Sequence, residues 1–237
     1  MTDTWARWLY LLQLTDSGLP IGTTAHSFGL ETLTQDGGLT VPTLPDFFAD
    51  YLTEIGTLEA VYTLTAHRIA GQVGTANATI ALTDWRDLND RLSALQIARE
   101  SRAASTTLGR RFLTLVASLI TTDSADFLHQ ALEIATPTGI HHCTAFGFVG
   151  GILAVEPELT ALAYLQQSLT GLISACQRLM PLGQNAASRI GWDLKPRMIE
   201  VVANAMSLTP ETVFTFAPGL DMASLRHPTL DTRLFIS

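Results

Sequence analysis

The sequence predicts an all-α fold, a helical bundle of roughly ten helices with an extended C-terminal tail, and three observations predict it. Apolar residues recur three and four positions apart through most of the chain, the period of a helix face. The strict alternation of a half-buried strand is nearly absent. Gly and Pro fall between the periodic stretches, where they end one helix and admit the next. A chain of 237 residues buries about 70 to 75% of its unfolded surface, so no disulfide or metal staple is required. No repeat, low-complexity segment or Pro/Ser-rich linker divides it, which predicts one domain over 1–237 with a tail at 209–237.

The elements follow in order. A first helix is expected over 5–14, ended by the loop 16–22 with Gly18, Pro20 and Gly22. A second covers 25–35 and stops at Gly37 and Gly38, residues suited to the left-handed end of a helix. Thr43 is placed to cap a long helix with Pro45 in its first turn, carrying Phe48, Tyr51, Leu52, Ile55, Leu58, Tyr62 and Ile69 on one face to about Gly71. Asp84 opens a helix towards Ala94. The run Ile97, Ser101, Ala104, Leu108, Phe112, Leu115 and Leu119 defines another, whose small-sided stretch from Ala103 to Gly109 lets a neighbour approach. Ser124 begins a shorter helix, and 137–139 is a break. The stretch 144–155 reads as a Gly-containing helix buried all round, the centre of the bundle. Pro157 opens a helix to Leu179, Pro181 to Gly183 interrupts it, a short helix covers 184–190, and Lys195-Pro196 leads into a last long helix to about Met206. The tail holds one short helix among Pro210, Pro218, Gly219 and Pro228.

Composition narrows function. Charged residues are 15% of the chain, against about 25% in an ordinary soluble domain, so part of the surface is expected to be covered by another protein. A net charge of −8 with scattered arginines leaves no basic stripe for nucleic acid. Cys143 and Cys176 stand alone and read as buried thiols in a reducing compartment. The apolar patch at 8–12 lacks a cleavage site, and the longest apolar run, 145–155, is far below the ~20 residues of a membrane span. A cytoplasmic protein is expected.

Catalytic motifs are missing. Lys195 is the only lysine and is followed by Pro196, which rules out a phosphate-cradling Gly-Lys-Ser/Thr loop. No Glu is followed three residues later by His, and there is no His-Glu-x-x-His or Gly-x-Ser-x-Gly. The chain is therefore not expected to be an enzyme. His141, His142 and Cys143 are the one cluster of metal-ligand types. Neighbours on a helix point about 100° apart, so these three meet on one ion only in irregular backbone or across a subunit contact. The competing reading is a capped helix start with a buried thiol. A helical-bundle enzyme or small-ligand or metal carrier built on this triplet is the rival functional class. His26, His67, His129 and His227 each read singly as hydrogen-bonded structural histidines.

Four stretches resemble the UreF family of urease accessory proteins. Leu19-Pro20-Ile21-Gly22 through His26-Ser27-Phe28-Gly29-Leu30-Glu31 is similar to its Leu-Pro-x-Gly-x-x-x-x-Ser-x-Gly-Leu-Glu signature. Glu100-Ser101-Arg102 with Gly109 resembles its Glu-x-Arg helix. Arg178 with Pro181-Leu182-Gly183-Gln184 resembles its late Pro-x-Gly-Gln break. Arg226-His227, then Thr232-Arg233-Leu234-Phe235, resembles its ending. Thr24, Pro228 and Ile236 depart from the pattern, the last two at an expected Glu and Arg.

The resemblance implies an all-α dimer that joins a UreD/UreH-type accessory protein and a UreG-type GTPase on apo-urease, influencing the GTPase without binding nucleotide. It implies no tightly bound cofactor, nickel being the cargo of the complex. Partner contacts are expected among Pro20, Gly22, His26, Ser27, Gly29, Glu31, Glu100, Arg102, Arg178, Pro181, Gly183, Gln184, Arg226, His227, Arg233, Leu234 and Phe235. Pro20, Gly22 and Gly29 also suit a turn and a tight helix contact. Glu31 is read as a partner contact. Glu100 and Arg102 suit an internal ion pair as well as an interface, and Arg178 suits a helix C-terminal cation as well as the GTPase. Arg233, Leu234 and Phe235 form the expected hot spot, in a tail that orders on the UreD/UreH-type partner with Phe235 in its pocket. No arginine is singled out as a finger for the GTPase.

Overall fold

The centre of the protein is one helix, His142–Ile152, in which nine residues in a row, His142 to Gly150, are buried. The computed structural model describes residues 2–72, 78–121, 124–135 and 139–237, and every regular element among them is helical. The α-helices are α1 (Thr2–Leu14), α2 (Leu30–Gln35), α3 (Leu44–Tyr51), α4 (Thr57–Ala70), α5 (Ala78–Leu95), α6 (Arg99–Leu119), α7 (Ser124–Ile134), α8 (His142–Ile152), α9 (Pro157–Leu179), α10 (Gln184–Asp193), α11 (Lys195–Ala205) and α12 (Pro218–Arg226). Helices α4, α6 and α9 surround α8. A helix buried on every side has no room for a polar stripe, and α8, made of Ala, Phe, Val, Ile and Gly with one His, one Thr and one Cys, meets that demand.

Two glycines set how close its neighbours come. A methyl group on Gly147 would overlap the carbonyl of Thr63 in α4, and one on Gly109 of α6 would overlap the carbonyl of Ile140 just before α8. The close approach stacks aromatic rings around α8. Phe112 and Phe146 lie 5.3 Å apart and Trp85 and Phe148 4.5 Å apart, and the Trp85 indole donates to the Ala131 carbonyl at 3.1 Å. Each such ring contributes about 2 to 3 kcal/mol through burial.

Several boundaries differ from the sequence reading, each for a local reason. The second helix starts at Leu30, not Ala25, because Phe28 (φ 50°) and Gly29 (φ 90°) turn the chain through the left-handed region just before it. The long helix after Thr43 contains a π-turn over Leu52–Gly56, which splits it into α3 and α4. Its capping box belongs to Thr40, whose side chain and backbone pair with Thr43. Asp84 lies inside α5, which begins at Ala78, so it caps nothing. Helix α8 spans His142–Ile152 rather than 144–155, and α10 runs on to Asp193. The expected break at Pro137 lies outside the described residues. The tail carries α12 and then an extended stretch, as expected, but that stretch is packed onto the body of the protein.

Candidate functional site

The first loop, the start of α2 and the chain end form one site. Gly29 is the contact point. A methyl group there would sit 2.7 Å from Ser224 Oγ and 3.2 Å from the Leu220 carbonyl oxygen, so α12 rests directly on this turn. Two residues later, Glu31 enters the interior with 2% of its surface exposed. Its Oε1 accepts the Leu234 amide at 2.6 Å, and its Oε2 accepts the Phe235 amide at 3.2 Å and faces His227 Nε2 at 2.9 Å.

His227 bridges to a third helix. Its Nδ1 faces Glu100 Oε2 of α6 at 2.6 Å, and the other oxygen of Glu100 faces Arg233 at 3.4 Å. The imidazole thus has a carboxyl group at each of its ring nitrogens. Burial opposes ionisation of Glu31, but the Leu234 amide, His227 and the Phe235 amide together outweigh it and hold the carboxyl below its ordinary value.

The last residues complete the clasp. The Ser27 hydroxyl donates to the Ser237 carbonyl at 2.9 Å, His26 Nδ1 lies 2.8 Å from Ser237 Oγ, and the Ile236 amide donates to the Ala25 carbonyl at 2.9 Å. Burial, then the charge of Arg111, lowers the His26 pKa. Phe235 is 4% exposed, with the Arg178 guanidinium 4.2 Å above its ring. Arg178 also donates to the Thr24 carbonyl at 2.6 Å, which fixes it over that ring. Gly22, at φ 88°, lets the loop turn beside Arg111.

The structure thus brings together Gly22, His26, Ser27, Gly29, Glu31, Glu100, Arg178, His227, Arg233, Leu234 and Phe235. Arg226 joins them through a 2.7 Å ion pair to Asp36. Arg102 does not join; it donates to the Gln96 carbonyl at 2.6 Å. Pro20 is exposed on the first loop, and Pro181, Gly183 and Gln184 are exposed at the corner between α9 and α10.

The geometry bears on several of these readings. Glu31 and Phe235 are buried against this chain's own segments, so neither presents a side chain to a partner in this conformation. The pocket expected in the partner for Phe235 is supplied here by the protein itself. His26, Ser27 and His227 are likewise buried. Arg178 reaches across to Thr24 rather than capping its own helix. Glu100 forms the internal pair that was one of its two readings. Sequence reasoning missed Ser237 and Asp36, whose only signal is that each is polar beside a helix or loop end.

The His141, His142, Cys143 triplet does not gather on an ion. His141 is held between Ser93 Oγ (2.8 Å) and Ser105 Oγ (3.0 Å), and burial, then Arg102, pushes its pKa down to about 4. Burial alone does the same to His142, and it drives the Cys143 thiol well up. Among the described residues no three His, Cys, Asp or Glu side chains are placed to hold a metal, and no helix is long and apolar enough to cross a membrane.

A helical bundle closed by a buried carboxylate–histidine clasp between its first loop and its last residues defines the chain as an all-α clasped bundle. A model of the UreF family matches residues 40–195. A urease accessory protein UreF from a Nostoc strain is 31% identical over 97% of this chain and 95% of its own length. The protein of that name from Geobacillus kaustophilus is 30% identical over the whole of both chains, and that from Thermosynechococcus vestitus is 31% identical over 97% of each. The chain belongs to the UreF family. The Geobacillus kaustophilus match, over the whole chain, spans both sides of the clasp.

Proposed function

We propose that this chain is a urease accessory protein, a non-catalytic scaffold that bridges a UreD/UreH-type protein and a UreG-type GTPase during maturation of the urease nickel centre. The observation that carries the reading is similarity to proteins of that name over essentially the whole chain, in one of them including every segment of the clasp. In this reading the chain acts as a dimer and modulates the GTPase, with no nucleotide site of its own. The single lysine, Lys195, stands outside any phosphate loop. The exposed members of the candidate set, Pro20, Arg178, Pro181, Gly183, Gln184, Arg226, Arg233 and Leu234, are the partner-facing residues; the buried ones hold the surface in shape.

Restoration of urease activity tests the role. In cells lacking their own gene of this family but making urease and the other accessory proteins, this chain should restore nickel-dependent urease activity and co-purify with the UreD/UreH-type and UreG-type proteins. Failure of both, or stoichiometric uptake of GTP by the isolated chain in equilibrium dialysis, would overturn it.

A further inference from the structure

A partly enclosed chamber of about 130 Å³ lies between the π-turn, α8, α9 and the segment leading into α12. Seven buried side-chain polar atoms among the described residues have no hydrogen-bond partner. Five of the residues that carry them line this chamber: Glu59, Gln96, His142, Gln167 and Thr215. His142 and Gln167 are themselves 6% and 8% exposed. Leaving such a group unpaired costs about 1 to 3 kcal/mol each, so this concentration marks a space built for a polar occupant.

The lining selects the occupant's chemistry. Gln167 Nε2 donates to the Leu14 carbonyl at 2.8 Å, and the atom it leaves unpaired is its acceptor oxygen. Gln96 and Glu59 also leave oxygens unpaired. Three of the five groups thus offer acceptor oxygens, which an occupant that donates several hydrogen bonds suits. No Lys or Arg lines the chamber, while two carboxyls, Glu59 and Asp221, do, so an anion finds no counter-charge. Tyr51 and Tyr164 lie beside Glu59, and the His142 and Tyr164 rings are 5.4 Å apart. A carboxylate with aromatic neighbours suits an organic cation, and the missing third ligand disfavours a metal. The volume resembles that of a cavity that takes a benzene-sized guest, on the order of 150 Å³.

We propose that this chamber binds a small primary ammonium ion, ammonium itself or a short alkylammonium, with Glu59 as its counter-charge and neighbouring acceptors and water taking its N–H groups. The proposal does not rest on the accessory role. Burial, opposed only by the Tyr164 hydroxyl, pushes the Glu59 carboxyl up to about 7. The titratable groups around it are Tyr51, Tyr164, Cys143 and His142, with His26 and Asp221 elsewhere on the wall. A cation needs the ionised form, so binding should strengthen as pH rises through about 7.

The test uses the purified full chain in ammonium, ethylammonium, tetramethylammonium and sodium chlorides at equal ionic strength, with nickel chloride separately. Ammonium and ethylammonium should raise the unfolding midpoint saturably, more at pH 8 than at pH 6. Carboxyl-carbon NMR of the unmutated chain should show one glutamate resonance that moves with those two ions only. Glu59→Gln should weaken the response about tenfold or more, and Tyr164→Phe should weaken it in a protein that keeps the ring. An equal response to tetramethylammonium or sodium, no moving glutamate resonance, or nickel binding that ammonium does not displace would overturn the proposal.

Discussion

Glu31 and His227 are 196 positions apart in the chain and 2.9 Å apart in space, both almost wholly buried. Their contact ties α2 to the chain end, and Glu100 on the far side of the imidazole ties both to α6. The clasp is a chain of charge-assisted hydrogen bonds inside the protein, the kind in which losing one member costs far more than the pair contributes net.

Glu31→Ala should therefore destabilise the protein by roughly 3 kcal/mol or more, because it strands two amides and a buried imidazole at once. Glu31→Gln, which keeps one acceptor, should cost less. Chemical denaturation gives the energies. Hydrogen exchange should show the amides of Leu234 and Phe235 losing protection in both variants.

Stability should depend on pH through two carboxyls of opposite sign, Glu31 and Glu59, and through the buried His141 and His142. Glu31 is held below its ordinary value of 4.5 when folded, so it binds fewer protons folded than unfolded. Its contribution is fully present above about pH 4.5 and is lost as pH falls below that towards the folded value. Glu59 is raised from 4.5 to about 7, so it binds more protons folded, and its own contribution falls as pH rises from 4.5 to 7 and levels off above. His141 and His142, both lowered from 6.5 to about 4, bind fewer protons folded, so their contributions grow as pH rises over the same range and oppose that of Glu59. Denaturation midpoints measured from pH 3 to 9 on the unmutated chain and on each variant separate the terms. Glu31→Gln should flatten the profile below about pH 4.5, and Glu59→Gln should steepen the rise between pH 4.5 and 7.

The helices were legible in the sequence because burial imposes its period on each of them: α9 begins and ends where Pro157 and Leu179 placed it, and the all-round apolarity of α8 identified the centre. The late start of the second helix was not legible. Phe28 in the left-handed region is held by tertiary contacts that no local propensity encodes. The clasp was half legible. Gly29, Glu31, His227 and Phe235 stand out as residue types, but an apolar anchor beside an arginine reads the same whether its pocket lies in a partner or elsewhere in the chain. Here Arg178 of α9 covers the ring, and Glu31, 204 positions away, holds the amide.

Gly109 and Gly147 should tolerate no side chain. Gly147→Ala and Gly109→Ala each place a methyl group against backbone, at Thr63 and at Ile140, where nothing can yield without parting two helices; a loss of about 3 kcal/mol or failure to fold is expected. Gly171, inside α9, supplies the contrast, because a methyl group added there would meet nothing within 4 Å. Gly171→Ala should stabilise by up to about 1 kcal/mol through helix propensity. Thermal unfolding of the three variants separates close approach from glycine content.

The chain end offers a clean division between clasp and contact surface. Phe235 is buried under Arg178, whereas Leu234, its neighbour, is 53% exposed; successive residues of an extended segment face opposite ways. Phe235→Ala should lower the unfolding free energy by about 3 kcal/mol, the usual cost of emptying a buried aromatic site. Arg178→Ala should lower it by about 1 kcal/mol through the lost ring contact. Leu234→Ala should leave the unfolding midpoint nearly unchanged and reduce capture of the UreD/UreH-type protein in pull-down. Phe235→Ala reduces capture only as far as it loosens the clasp, so restoring stability in that variant, for example with Gly171→Ala, should recover part of the binding. If Phe235→Ala instead left the midpoint in place and abolished capture, the aromatic ring would be leaving its own pocket for the partner's, and the clasp would be the resting state of a transferable tail.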